Sequence, residues 1–202
     1  GMKNAFSVRS LGEFLMEQSE LLGYLVRFLE KLNIPYFITG AIASIAYGEP
    51  RFTNDIDIVA DIKDEHIAKI KECFPEQEFY LDSDAIREAI RRKHQFNIIH
   101  PASGLKIDVI ISKGDAFDKS RFARIKRMRP LEETEANFAS PEDLIIKKME
   151  YFKEGSSEKH LRDIMGMLKI SGEMVDFKYI SLWAKRLNLE EIWQAIQERL
   201  SK

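Results

Sequence analysis

Arg51-Phe52-Thr53-Asn54-Asp55-Ile56-Asp57-Ile58-Val59-Ala60 is the stretch from which the fold is read. From Asp55 onward polar and apolar residues alternate, the pattern of a strand with one wet face. Side chains in a strand repeat every two residues, so Asp55 and Asp57 project from one face while Ile56 and Ile58 anchor the other in the core. Neighbouring carboxylates repel each other unless they are exposed, share a proton or share a cation. Mg²⁺ suits such a pair, because it takes oxygen ligands and completes its shell with phosphate and water. The spacing alone says little: Asp82-Ser83-Asp84 repeats it without the apolar alternation and ahead of a helical pattern, where capping or a solvated turn explains it. Strand placement gives Asp55 and Asp57 their weight.

Outward from this strand the sequence supplies two supports. Upstream, Tyr36-Phe37-Ile38-Thr39 is a short run of strand-favouring residues, followed by Gly40 and a helix over Ala41 to Tyr47, closed by Gly48. A glycine between strand and helix lets an anion approach free backbone N–H groups at the positive end of the helix dipole. Downstream, Phe96–Ile99 and Leu105–Ile111 form a predicted hairpin about the turn residues Pro101 to Gly104. Residues 105, 107, 109 and 111 are apolar, which puts Asp108 on the polar face of a strand expected beside Asp55–Ala60. An acid in so apolar a strand needs a polar partner, and a shared metal site is one; half-exposure to solvent is the other.

The remainder is mostly helical. Ser10 and Glu13 form a predicted capping box for a helix carrying Leu11, Leu15, Leu22, Leu25 and Leu29 and ending near Leu32. Asp64–Cys73 reads as a helix, Glu78–Leu81 as a short strand, and Asp84 as the cap of a helix with Ile86, Ala89 and Ile90. Phe122–Met128 reads as a further strand. Ser140-Pro141-Glu142-Asp143 is an N-cap with proline at the first helical position and acids in the first turn. Further helices carry Leu161, Ile164, Met165 and Leu168, then Ile180, Trp183 and Leu187, then Leu189, Ile192, Trp193, Ile196 and Leu200. The predicted organisation is an N-terminal helix over 1–33 packed on an α/β core over 34–135, then a helical domain over 136–202, with a cleft between the last two.

The 202-residue chain has 45% hydrophobic and 32% charged residues and a net charge of -2, an ordinary globular composition with no global pull toward nucleic acid or membrane. Gly1 ahead of Met2 reads as a residue left by expression. No membrane span or signal peptide is read, and the lone Cys73 reads as a small core residue in a reducing cytoplasm.

Strand, Gly40-Ala41, short helix, Gly48 and then Arg51-x-Thr53-x-Asp55-Ile56-Asp57 together resemble the nucleotidyltransferase superfamily of the DNA polymerase β-like fold. The form is most similar to the branch of AbiEii-type toxins, as are Pro141 to Lys148 and Arg162-Asp163. The resemblance implies an α/β (α+β) fold with a mixed sheet flanked by helices. It implies Mg²⁺-dependent transfer of a nucleoside monophosphate from a nucleoside triphosphate to an acceptor, with two ions and Mn²⁺ as a substitute. By resemblance Asp55 and Asp57 hold the metals, and Asp108 binds the second ion or activates the acceptor hydroxyl. Gly40, Ala41, Arg51, Thr53 and Lys147 are the implied nucleotide contacts. The implied acceptor is RNA or protein, in a toxin–antitoxin setting. Ala41 stands where the superfamily has glycine or serine and offers no hydroxyl to phosphate. That departure keeps open a second reading, a nucleotide-binding module with weak or no catalysis.

Other residues carry two readings. Lys147 is a phosphate contact or a solvated lysine beside Lys148; Arg51 and Thr53 touch the nucleotide or bond within their loop. Arg162 and Asp163 read as an ion pair on a helix surface or between domains, or as a nucleotide contact. Arg121, Arg124, Lys126, Arg127 and Arg129 form a basic run that suits a polyanionic acceptor or a solvated strand face offset by Glu132, Glu133 and Glu135. His66, His94, His100 and His160 lack zinc-ligand spacing, and Trp183 and Trp193 fall at core positions.

Overall fold

The computed structural model describes residues 14–129 and 134–202. Ser10, Leu11, Glu13, Glu132 and Glu133, to which the sequence assigned a cap, a helix face and a charge balance, lie outside them. Six strands form one mixed sheet: β1 (Tyr36–Thr39), β2 (Asp55–Ala60), β3 (Gln95–His100), β4 (Leu105–Ile111), β5 (Lys126–Met128) and β6 (Ala136–Phe138), in the order β3-β4-β2-β1-β6-β5. β2 runs antiparallel to β1 and parallel to β4, and β3 closes the hairpin with β4. β6, just before the helical half, pairs parallel with β1.

Paired residues on adjacent strands share a face. The face carrying Ile56, Ile58, Ile98, Ile107 and Val109 is covered by α1 (Phe14–Lys31) and α3 (Ile67–Cys73) through Leu25, Leu29 and Ile70, with Phe74 beside them. Ile56 and Ile58 are both 0% exposed, and burying each contributes about 1.5–3 kcal/mol. The outward parity of Asp55 and Asp57 is therefore fixed by the inward parity of these isoleucines.

The opposite face receives α2 (Gly40–Tyr47), α5 (Ala116–Ala123) and the helical half: α6 (Pro141–Gly155), α7 (Glu158–Ser171), α8 (Phe177–Arg186) and α9 (Glu190–Leu200). Ser140 caps α6 as expected, its hydroxyl accepting from the Asp143 N–H at 3.2 Å. Buried apolar residues run as one cluster from Leu21 to Ile196, with Trp183 and Trp193 inside it and Cys73 partly buried at its edge.

Four local readings are corrected. Phe122–Met128 is the end of α5 followed by the short β5, because Asp115 caps a helix by accepting from the Asp118 N–H. Glu78–Leu81 forms only a single bridge, Tyr80 to Ile99. The cap of α4 (Ser83–Arg92) is Asp82, with Asp84 in the first turn. The helix expected over Asp64–Cys73 begins as a 3-10 turn, Asp64–His66. Among the described residues no helix is long and apolar enough to cross a membrane.

Candidate active site

The register of the central strands builds the site. Asp57 pairs with Thr39 on β1 and with Asp108 on β4, and Asp108 pairs with Asn97 on β3. Thr39, Asp57, Asp108 and Asn97 thus form a polar row across four strands. One step along, Asp55 pairs with Lys106. Burial, then the charges of Asp108 and Asp55 and a hydrogen bond with Asp108, push the Asp57 carboxyl up to about 7, with Lys148 opposing. Asp108 is itself buried, and its Oδ1 has no hydrogen-bond partner. The pair is tolerable with a shared proton or a shared cation.

Gly40 is locked to this pair. Its φ is +65°, and a Cβ there would fall 2.1 Å from Asp57 Oδ2. The glycine serves the aspartate directly, a close approach that adds to the phosphate approach expected from the sequence. The turn also opens α2, whose N-cap Thr39 makes no side-chain cap, leaving the first N–H groups free of that partner. Ala41 is nearly buried beside it. Thr53 bonds within its own loop: its Oγ1 accepts from the Asp55 N–H at 3.2 Å, and its carbonyl accepts from Gln18 of α1 at 2.7 Å.

The opposing wall comes from α6 and α7. Lys148 donates to Asp163 at 2.9 Å, and Arg51 grips the same carboxylate with Nε and Nη2 at 3.1 and 3.0 Å. Burial pulls the Lys148 ammonium below its usual range, while Asp163 and Asp57 oppose that shift. Burial alone would raise Asp163, but Arg51 and Lys148 hold it below the usual carboxylate range. Between the walls lies a cleft of ≈ 920 Å³, lined by Gly40, Ala41, Asp55, Asp57, Arg51, Thr53, Lys147, Lys148, Tyr151, His160 and Asp163 among others. Asp108 is not among the lining residues; it stands beside Asp57 at the sheet.

Most of the residues singled out in the sequence meet here. Lys147 reaches the cleft, paired with Glu150 at 3.6 Å and lying over the Tyr151 ring. Its neighbour Lys148 is the buried lysine aimed at Asp163 and toward Asp57. The sequence reading named Lys147 and left out Lys148, because either can face inward on an amphipathic helix. Lys106 and Asn97 were also passed over; the parity of Lys106 with Asp108 was readable in the sequence, but its place opposite Asp55, and that of Asn97 opposite Asp108, needs the register. The basic run is mostly consumed inside the fold. Arg121 is buried against Asp118, Arg124 lies over Tyr179 and pairs with Glu142, and Arg127 pairs with Glu30 and Glu135.

The family model described as nucleotidyl transferase AbiEii toxin, type IV TA system, matches residues 25–188. The chain belongs to this family. It is therefore a nucleotidyltransferase, and the Asp55–Asp57 strand and the α6–α7 wall both fall inside the matched span. No curated protein sequence matches it. Among solved structures, the antibiotic-resistance factor ANT(2'')-Ia is 12% identical, with a TM-score of 0.57 over 92% of this chain and 96% of that one. The lincosamide antibiotic adenylyltransferase LnuA, lincomycin-bound, is 14% identical, with a TM-score of 0.52 over 76% of this chain and 98% of that one. An antigenic nucleotidyltransferase-like protein from Paracoccidioides brasiliensis is 18% identical, with a TM-score of 0.50 over 79% and 77%. At these identities the likeness is one of fold.

The donor set of this AbiEii-type site fits a hard divalent cation. It offers carboxylate oxygens only, one of them buried and unpartnered, on a pair that repels itself when empty. Among the described residues no group of three or more His, Cys, Asp or Glu side chains is arranged to hold a metal ion by itself.

Proposed function

We propose that the protein uses Mg²⁺ to transfer a nucleotidyl group from a nucleoside triphosphate to a hydroxyl of an RNA acceptor, as a toxin. The supporting observation is the cross-strand Asp57–Asp108 pair, set behind a cleft whose other wall presents Lys148 and Arg51. Asp55, Asp57 and Asp108 hold the metal; when bound, divalent ions neutralise phosphate charge and stabilise the entering and leaving oxygens. Lys148 and Arg51, held ready by Asp163, contact the triphosphate, as do Lys147 and the free N–H groups at the start of α2. The acceptor oxygen forms a bond to the α-phosphorus while the bond to the β-phosphate oxygen breaks, and pyrophosphate leaves with the electron pair. The acceptor hydroxyl gives up its proton to Asp108 or to solvent as the new bond forms. The rest of the catalysis is positioning.

The acceptor class rests on the toxin family; the antibiotic adenylyltransferases that share the fold make a small-molecule hydroxyl the competing acceptor. The test is incubation of the protein with each α-labelled nucleoside triphosphate, Mg²⁺ or Mn²⁺, and either total RNA or an aminoglycoside or lincosamide. Label on RNA, lost in Asp57→Asn and with EDTA, is the predicted result. Label on the antibiotic alone would replace the acceptor, and nucleotide binding without transfer under any condition would reject the activity.

A further inference from the structure

Lys106 contacts Asp55 and Asp108 from the sheet side, and nothing in the proposed chemistry uses it. The parallel register sets it opposite Asp55, two residues before Asp108, so all three share a face. Its Nζ lies 3.5 Å from Asp108 Oδ2 and 3.9 Å from Asp55 Oδ1. Both distances exceed a normal N–H···O hydrogen bond, so the ammonium is held by charge between two carboxylates. The nearby cations Arg51 and Lys148 pair with Asp163 on the opposite wall of the cleft. Lys106 is 36% exposed, with a flexible stem that can leave the site without disturbing the strand.

We propose that Lys106 is the resident counter-cation of the carboxylate centre: it holds Asp55 and Asp108 together in the metal-free enzyme and so sets how tightly a divalent ion is taken. The inference rests on the proposed metal role of these aspartates. Lys106 occupies one oxygen of Asp108 and leaves the other, Oδ1, unpartnered. The lysine and an arriving ion draw on the same negative charge, so each weakens the other by the same factor. Lys106 is thus a positioning residue that keeps metal binding reversible.

The experiment measures Mn²⁺ binding to the full chain by electron paramagnetic resonance, without nucleotide, alongside the melting temperature in EDTA. Lys106→Gln is expected to bind Mn²⁺ about tenfold more tightly than the unmodified protein, within the usual range of site coupling. It should melt lower in EDTA, with the difference closing at saturating Mn²⁺. Lys106→Thr, a strand-favouring replacement, should shift affinity the same way, and Lys106→Arg should leave it near the original. Unchanged or weaker Mn²⁺ binding in both neutral variants, with the unmodified protein binding normally, overturns the proposal. Asp57→Asn separates the two readings: if it leaves Mn²⁺ binding intact, the metal role of the aspartates fails first.

Discussion

Asp55-Ile56-Asp57 and Asp82-Ser83-Asp84 share a spacing and almost nothing else. On β2 the two acids share a face because the intervening isoleucine is fully buried, and Asp57 is pressed against Asp108 and the Gly40 turn. At α4 the same spacing straddles a helix start. Asp82 accepts from the Asp84 N–H at 3.0 Å, and Asp84, 90% exposed at its side chain, pairs with Arg87 at 3.0 Å. One pair is a centre of unresolved charge, and the other is a satisfied cap. The chemistry of a short motif is thus set by the element that carries it and by what the neighbouring strand places opposite.

Four substitutions measure that contrast. Asp57→Asn should lower the rate of nucleotidyl transfer by about 10²–10⁴-fold while the fold persists, read from label transfer and circular dichroism. An activity within a few-fold of the original would place the two motifs on the same footing. Gly40→Ala should reduce transfer nearly as far and cost roughly 1–3 kcal/mol, because the added methyl collides with Asp57 and the backbone is left-handed. Denaturant melts alongside kcat will show whether both fall together.

Asp118 supplies a buried carboxylate whose neighbour is a cation, the reverse of Asp57. Burial pushes its carboxyl up, but the Arg121 guanidinium, the Lys113 N–H and the Ser112 hydroxyl outweigh that and hold it below the usual range. Its contribution is therefore complete above the unfolded carboxylate value near ~4 and is lost as pH falls through the lower folded value. Asp118→Asn should cost about 3 kcal/mol at pH 7. In urea titrations the gap to the unmodified protein should narrow below pH ~4, and a gap that widens there would refute the assignment. The smallest effect belongs to Asp82→Ala: about 1 kcal/mol of stability for the lost cap and no change in transfer.

Much of this was legible before any coordinates. Alternation fixed the faces of β2 and β4, and the apolar positions around Asp108 placed it on the face shared with Asp57, although its burial there was not legible. Gly40 announced a special turn, although not that its missing side chain makes room for Asp57. What was hidden depends on register and rotation. Nothing in the sequence chooses between Lys147 and Lys148, since a helix face is defined only by what it packs on. That Lys106 stands opposite Asp55 and Asn97 opposite Asp108 becomes visible only when β4 is aligned with β2 and β3. Arg121 and Arg124 read as a basic face because a strand was expected from Phe122, whereas α5 runs to Ala123, burying Arg121 against Asp118 and leaving Arg124 at its C-cap paired with Glu142.

The account stands on Asp57 and Asp108 acting as one metal-binding pair beneath the nucleotide. Crystals soaked with Mn²⁺ and a nucleoside triphosphate bearing a non-hydrolysable α–β linkage test it through the anomalous scattering of manganese. The predicted result is an ion in contact with Asp57, Asp108 and the triphosphate. A nucleotide bound in the cleft with no ion at these carboxylates would contradict it.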